Sequence, residues 1–364
     1  LSKAKYTSSD EEVLKSINLN KIILPVIIGI LVIIYMVFRQ FDIDEFRTIK
    51  WNHRLWTYLG IAVAIYICRH IFLSIRLQIL SDNAFTFRHT VELVTIWEFA
   101  SAISPMSVGG SAVAVFFLSQ EKISAAKAVS IVLYTVIIDT FFFLISMILL
   151  IAIFGPKIIR PDMESLFHGY GITFIIVWLV MFSYGSILLW GLYRPRVIKK
   201  ILHSIATWPF IKRFKKTLVQ TGMDVVTTSK ELRSKPFSFH VKASLLTIGA
   251  WVARFLVVNF VLLALVEMDT DWMGQFFLYA RSQTMYVITQ FSPTPGGAGI
   301  MEIMFSGFFT DFLPKGVGSV GALLWRMITY YPYLIIGAII IPNWIRRVLK
   351  HKQSLRSDQS ATDA

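Results

Sequence analysis

Charge is scarce in this chain, and acidic charge scarcest. Only 16% of its 364 residues are Asp, Glu, Lys or Arg, against about 25% in soluble domains, which excludes an ordinary water-soluble fold. A single cysteine, Cys68, excludes an internal disulfide; we read it as a small packing residue in a membrane helix. Seven histidines lie scattered and form no cluster with metal-ligand spacing. There is no Gly-x-x-x-x-Gly-Lys nucleotide loop, and no serine or cysteine has a nucleophile's context. An enzyme is not expected, nor is any cofactor or metal. The polar N-terminal stretch lacks a cleavable-signal pattern, so the first apolar run is expected to stay as an anchor.

Apolar sequence is abundant. Hydrophobic residues make up 55% of the chain, and the mean hydropathy is +0.63. A helix crosses a bilayer in about 20 apolar residues. Runs at residues 22–38, 55–75, 129–154, 172–192, 241–266 and 319–341 are predicted spans. Two more stretches, residues 90–118 and 273–312, are each broken near the middle by glycine and proline. The first break is Ser104-Pro105-Met106-Ser107-Val108-Gly109-Gly110. The second is Ser292-Pro293-Thr294-Pro295-Gly296-Gly297-Ala298-Gly299. Each is followed at one spacing by a charge in apolar sequence: Asp139 after Gly109 (139 − 109 = 30) and Arg326 after Gly296 (326 − 296 = 30). Interrupted helices at corresponding positions of two halves point to a translocation site.

The formal net charge is +14. Basic residues cluster in loops between apolar runs, so topology and anionic lipid explain them better than nucleic acid does. The basic N-terminal segment, the basic stretch after Arg194 and the basic tail after residue 345 are all expected on the cytoplasmic side. Counting crossings from there, the first broken stretch enters from the cytoplasm and the second from the exterior. The expectation is an all-α polytopic protein of the cytoplasmic membrane with both termini inside. It has about six spans and two re-entrant helical hairpins in an inverted repeat; with the hairpins as full spans the count is eight. Residues 1–20 form a cytoplasmic segment. Residues 21–345 form the membrane domain, in halves 21–192 and 241–345 joined by a basic loop, 193–240. Residues 346–364 form a polar tail, disordered beyond Lys352. The basic loop also has helical apolar spacing, which suits short amphipathic helices on anionic inner-leaflet lipid or a solvated loop equally.

Charges at membrane depth cost ~2.5–3.5 kcal/mol each on insertion scales and persist when they pair, line water or bind something. Glu98, Asp139, Arg254, Arg281, Glu302 and Arg326, with Tyr330 one turn beyond Arg326, are the candidates for a headgroup site or pathway; internal ion pairing is the competing role. Glu302 has a further alternative, meeting the positive end of the half-helix after the second break. Arg281 has another, snorkelling to the outer surface. Arg69 and Arg76 are expected to snorkel to the cytoplasm, and His70 to be structural. Ser104, Pro105, Gly109, Gly110, Pro293, Pro295, Gly296, Gly297 and Gly299 would shape the tips, by sharp turning and close helix approach.

Pro293-Thr294-Pro295-Gly296-Gly297-Ala298-Gly299 with Glu302 resembles the signature of the lysylphosphatidylglycerol synthase transmembrane region, or flippase-like domain family. The 104–110 segment and Arg326 with Tyr330 are similar to its other landmarks. The resemblance spans about residues 20–345. It implies movement or handling of a phospholipid or other polar-headed lipid and, with no aminoacyl-transferase domain after the last run, argues against lysyl-lipid synthesis. A proton-coupled small-solute transporter and a non-transporting accessory subunit of an envelope-lipid enzyme are the alternatives. Protein partners are not indicated.

Overall fold

The structure is a computed structural model. It describes residues 51–104, 106–121, 123–159, 170–197, 229–268, 271–290, 292, 294, 296–297, 299–314 and 317–362, with isolated positions between 200 and 227. The expected first span, 22–38, most of the basic loop, and Pro105, Pro293 and Pro295 lie outside the described residues.

Every regular element among the described residues is helical. The first half contains α1 (His53–Leu80), α2 (Phe87–Ile103), α3 (Met106–Ser119), α4 (Ala125–Phe154) and α5 (Tyr170–Tyr193). The second contains α6 (Phe237–Leu265), α7 (Trp272–Thr289), α8 (Ile300–Phe308), α9 (Gly318–Thr329) and α10 (Tyr331–Thr362). Among the described residues, four stretches are long and apolar enough to cross a membrane: α1, α4 with the 3-10 turn after it, α6, and α9 running into α10. Their outer faces expose large apolar side chains such as Ile67, Ile145, Leu149, Leu245 and Ile339, which water would disfavour and lipid accepts. All five predicted spans within the described residues fall on helices, the fifth on α5.

Local chemistry explains the helix starts. Asn52 and Asp271 accept the Leu55 and Gly274 amides and so cap α1 and α7. Ser124 caps α4 through the Lys127 amide. Each cap satisfies an amide that has no partner within its helix.

Both interrupted stretches are helix–break–helix. Ser104 ends α2 in an extended conformation and α3 begins at Met106. The two helices pack closely enough that a Cβ on Gly110 would collide with Ser101, including its Cα at 2.8 Å. Between α7 and α8 the chain turns through Gly296, Gly297 and Gly299, all at positive φ, where an L-residue is strained.

Contacts at the helix ends define how the pieces stand. The start of α2 meets the end of α3, with His89 Nε2 3.0 Å from Glu121 Oε2. At that same end, Asp82 pairs with Lys127 and Lys235, Trp344 donates to Glu121, and Arg347 pairs with Glu92. Burial pushes the Asp82 carboxyl up, but the two ammonium groups outweigh it and leave it below its ordinary value. At the opposite end, Arg54 bonds the Val266 carbonyl and pairs with Glu267. There Arg281 pairs with Asp311 and bonds the Lys157 carbonyl. The α2–α3 pair therefore opens toward one end of the bundle and the α7–α8 pair toward the other. The long helices α1 and α6 pack together, with small residues such as Ala62, Ala250 and Ala253 buried along them.

The structure adds a break within one predicted span and overturns one expectation, that of a disordered tail. The 319–341 stretch is not one smooth helix: α9 stops at Thr329, Tyr330 leaves helical geometry and α10 starts at Tyr331. Pro332 lacks the amide that would bond Ile328, so the helix breaks there. The tail after Lys352 continues α10 to Thr362.

Candidate functional site

The two breaks meet. The Gly296 amide lies 3.5 Å from the Ser104 carbonyl, so the tip of one half touches the tip of the other. Beside this contact lies a cavity of about 440 Å3. Its wall includes Ser101 and Ser104 from α2 and its end, Gly296 and Gly297 from the second break, Asp139 from α4, Arg254 from α6, and Arg326 and Tyr330 from α9 and its end. Val180 and Tyr184 of α5 also line it while 52% and 48% exposed, so on that side the cavity reaches the apolar outer surface.

Three ion pairs hold charges in or near this interior. Arg69 donates to Glu98 at 2.8 Å. Arg76 donates to Asp139 at 2.6 Å and to Thr247 at 2.9 Å. Trp251 donates to the same Asp139 oxygen at 3.0 Å. Arg326 donates from Nε to Glu302 at 2.8 Å and from Nη2 to the Gly296 carbonyl at 2.9 Å. Glu302 also accepts the Gly299 amide at 2.6 Å. It thus caps α8 and holds Arg326 at once, with both carboxylate oxygens occupied. Tyr330 lies 4.3 Å from the Arg326 guanidinium at its ring centre and donates to the Ala102 carbonyl at 3.1 Å. Hydrogen-bonded pairing of this kind is what makes a buried charge tolerable.

Asp139, Arg254, Arg326, Tyr330 and Glu98 all line the cavity, with Ser104, Gly296 and Gly297 of the tips. Gly110 serves the α2–α3 contact, Gly109 lies within α3, and Gly299 starts α8. Glu302 is not in the wall; it stands behind Arg326. Arg281 is 1% exposed, paired with Asp311 away from the cavity, and so neither snorkels nor joins it. Sequence reasoning undervalued Arg69 and Arg76. They are 3% and 7% exposed and line the wall, because carboxylates on α2 and α4 make burial affordable. Their seven-residue spacing gave one stripe, but nothing local told its depth. His70 has partners after all, the Tyr333 hydroxyl at 3.0 Å and the Val91 carbonyl at 3.2 Å, in keeping with a structural role.

The model of the lysylphosphatidylglycerol synthase transmembrane region matches residues 22–337. The chain belongs to this family. It is also similar to a protein of Archaeoglobus fulgidus described as a UPF0104 membrane protein, with 26% identity over 334 residues, covering 86% of this chain and 95% of that one. No solved structure matches the chain. Membership makes it a polytopic membrane protein, consistent with its long apolar helices.

Proposed function

We propose that this family member moves a polar-headed lipid across the cytoplasmic membrane. The observation that carries the reading is the contact of two broken helical segments beside a charged cavity that reaches the apolar surface at Val180 and Tyr184. A headgroup would travel through the cavity while its acyl chains stay in lipid. The reading involves no covalent chemistry.

In this reading α2–α3 and α7–α8 are re-entrant hairpins related by an inverted repeat, and both termini are cytoplasmic. Their opening toward opposite ends of the bundle supports it, and so does the parallel order of elements in each half: long helix, broken pair, long helix. The basic loop, 193–240, would rest on anionic inner-leaflet lipid. A test uses single cysteines at Asn83 and Gln120 in a Cys68→Ser background. Both are expected to react with an impermeant thiol reagent from the same side of the membrane. Reaction from opposite sides would make α2–α3 a crossing and end the re-entrant reading.

Proton-coupled solute transport is less well supported, because Glu98, Asp139 and Glu302 are each committed to an arginine. The deciding experiment reconstitutes the purified protein in vesicles with headgroup-labelled lipid and bleaches the outer leaflet chemically. Wild type is expected to expose inner-leaflet label that protein-free vesicles keep protected, and Glu302→Gln to slow that exposure. Equal protection with and without the protein, across several labelled lipids and ion gradients, would overturn lipid movement.

A further inference from the structure

One pair of corresponding positions before the two breaks differs in charge. In the first half, Arg69 of α1 meets Glu98 of α2, six residues before Ser104-Pro105 (104 − 98 = 6). In the second half, Arg254 of α6 faces α7 at Tyr286, six residues before Ser292-Pro293 (292 − 286 = 6). The position that holds a carboxylate in one half holds a phenol in the other. Arg254 accordingly has no ion pair among the described residues. Its guanidinium lies 4.9 Å from the Tyr286 ring centre and 5.7 Å from that of Trp251. Aromatic faces attract a cation without neutralising it. Trp251 in turn donates from its ring edge to Asp139, so the face stays aligned with Arg254 while Asp139 is occupied by Arg76.

The charges around the cavity do not cancel. Arg69, Arg76, Arg254 and Arg326 line it, against Glu98 and Asp139 in the wall and Glu302 bound behind Arg326. That is four positive charges against three negative, and the excess sits at Arg254. A guanidinium with free donors fits a phosphate oxygen pair in shape and charge. Gln290, also in the wall, has a buried side-chain oxygen with no hydrogen-bond partner, which suits a donor on the same ligand, such as a hydroxyl.

We infer that Arg254 is the docking point for a phosphate-bearing anionic group, that this group is carried by a lipid, and that the Tyr286 position keeps the site cationic by withholding a carboxylate. This rests on the lipid reading above and specifies its headgroup: anionic at the phosphate, with a hydroxyl-type donor beside it. A net cationic headgroup would meet the excess positive charge unfavourably.

The test uses the full chain in nanodiscs, with retained lipid counted by native mass spectrometry. Phosphatidylglycerol, diacylglycerol and inorganic phosphate are the probes. Wild type is expected to retain phosphatidylglycerol and not diacylglycerol. Arg254→Gln and Tyr286→Glu are each expected to weaken that retention about tenfold or more, since a charged hydrogen bond is lost, whereas Arg254→Lys keeps most of it. Tyr286→Glu supplies the missing partner without touching Arg254, so a loss there cannot come from deleting the arginine. Retention indifferent to headgroup charge, or unchanged in both variants, would overturn the inference even if lipid movement in vesicles were normal. Inorganic phosphate binding with the same dependence on Arg254, while phosphatidylglycerol does not bind, would overturn the lipid source. Absence of lipid movement with intact Arg254-dependent phosphatidylglycerol retention would instead count against translocation alone.

Discussion

Arg326→Ala is expected to lose lipid movement and to destabilise the fold by about 3–5 kcal/mol, the usual cost of orphaning a buried charge. Arg326 is 4% exposed and Glu302 8%. Removing the guanidinium leaves the Glu302 carboxylate facing a void, held only by the Gly299 amide. It also removes the bond to the Gly296 carbonyl and the cation against Tyr330. The thermal unfolding midpoint of the purified protein in detergent reads the stability. The double variant Glu302→Gln with Arg326→Met separates the two effects. It has no charge to orphan, and Gln can still accept the Gly299 amide, so most of the stability should return while movement stays lost. An unfolding midpoint unchanged by Arg326→Ala would contradict the pairing itself.

Gly296→Ala is expected to cost about 2–4 kcal/mol, from left-handed backbone strain and from overpacking. Gly296 has a φ of +57, and its added Cβ would run into the Tyr330 ring. That ring has little freedom to yield, because its hydroxyl is bonded to the Ala102 carbonyl and the Arg326 guanidinium lies against it. The expected outcome is a lowered unfolding midpoint together with slowed lipid movement. Gly60→Ala is the control: it lies in α1, is exposed, and its Cβ would meet nothing within 4 Å. There the better helix former should leave the midpoint unchanged or raise it. Equal losses at the two glycines would refute the geometry drawn for the tip.

Much of this was legible in the sequence, for identifiable reasons. Long apolar runs give helices because backbone groups in lipid must be satisfied internally, and the described spans follow. The breaks were legible because proline and glycine act locally, through a missing amide and a missing Cβ. Asp139 and Arg326 stood out as charges in apolar surroundings. What escaped was whatever depends on two helices meeting. Arg76 finds Asp139 across 63 positions, and Arg281 finds Asp311 across 30. No spacing rule distinguishes those partners from others, so Arg76 was expected at the surface and Arg281 in the pathway. The break at Tyr330 escaped for a different reason. Its cause, Pro332, sits in an apolar run whose hydropathy hides it.

The five residues from Arg326 to Tyr330 hold both tips at once. Arg326 grips the Gly296 carbonyl, and Tyr330 grips the Ala102 carbonyl, two residues before Ser104. Thr329, between them, accepts the Tyr66 hydroxyl from α1 at 2.6 Å. Retracting either tip therefore tugs on the same short stretch, which sits where α9 gives way to α10. In the lipid-moving reading proposed above, the two tips would be yoked to one crossbar.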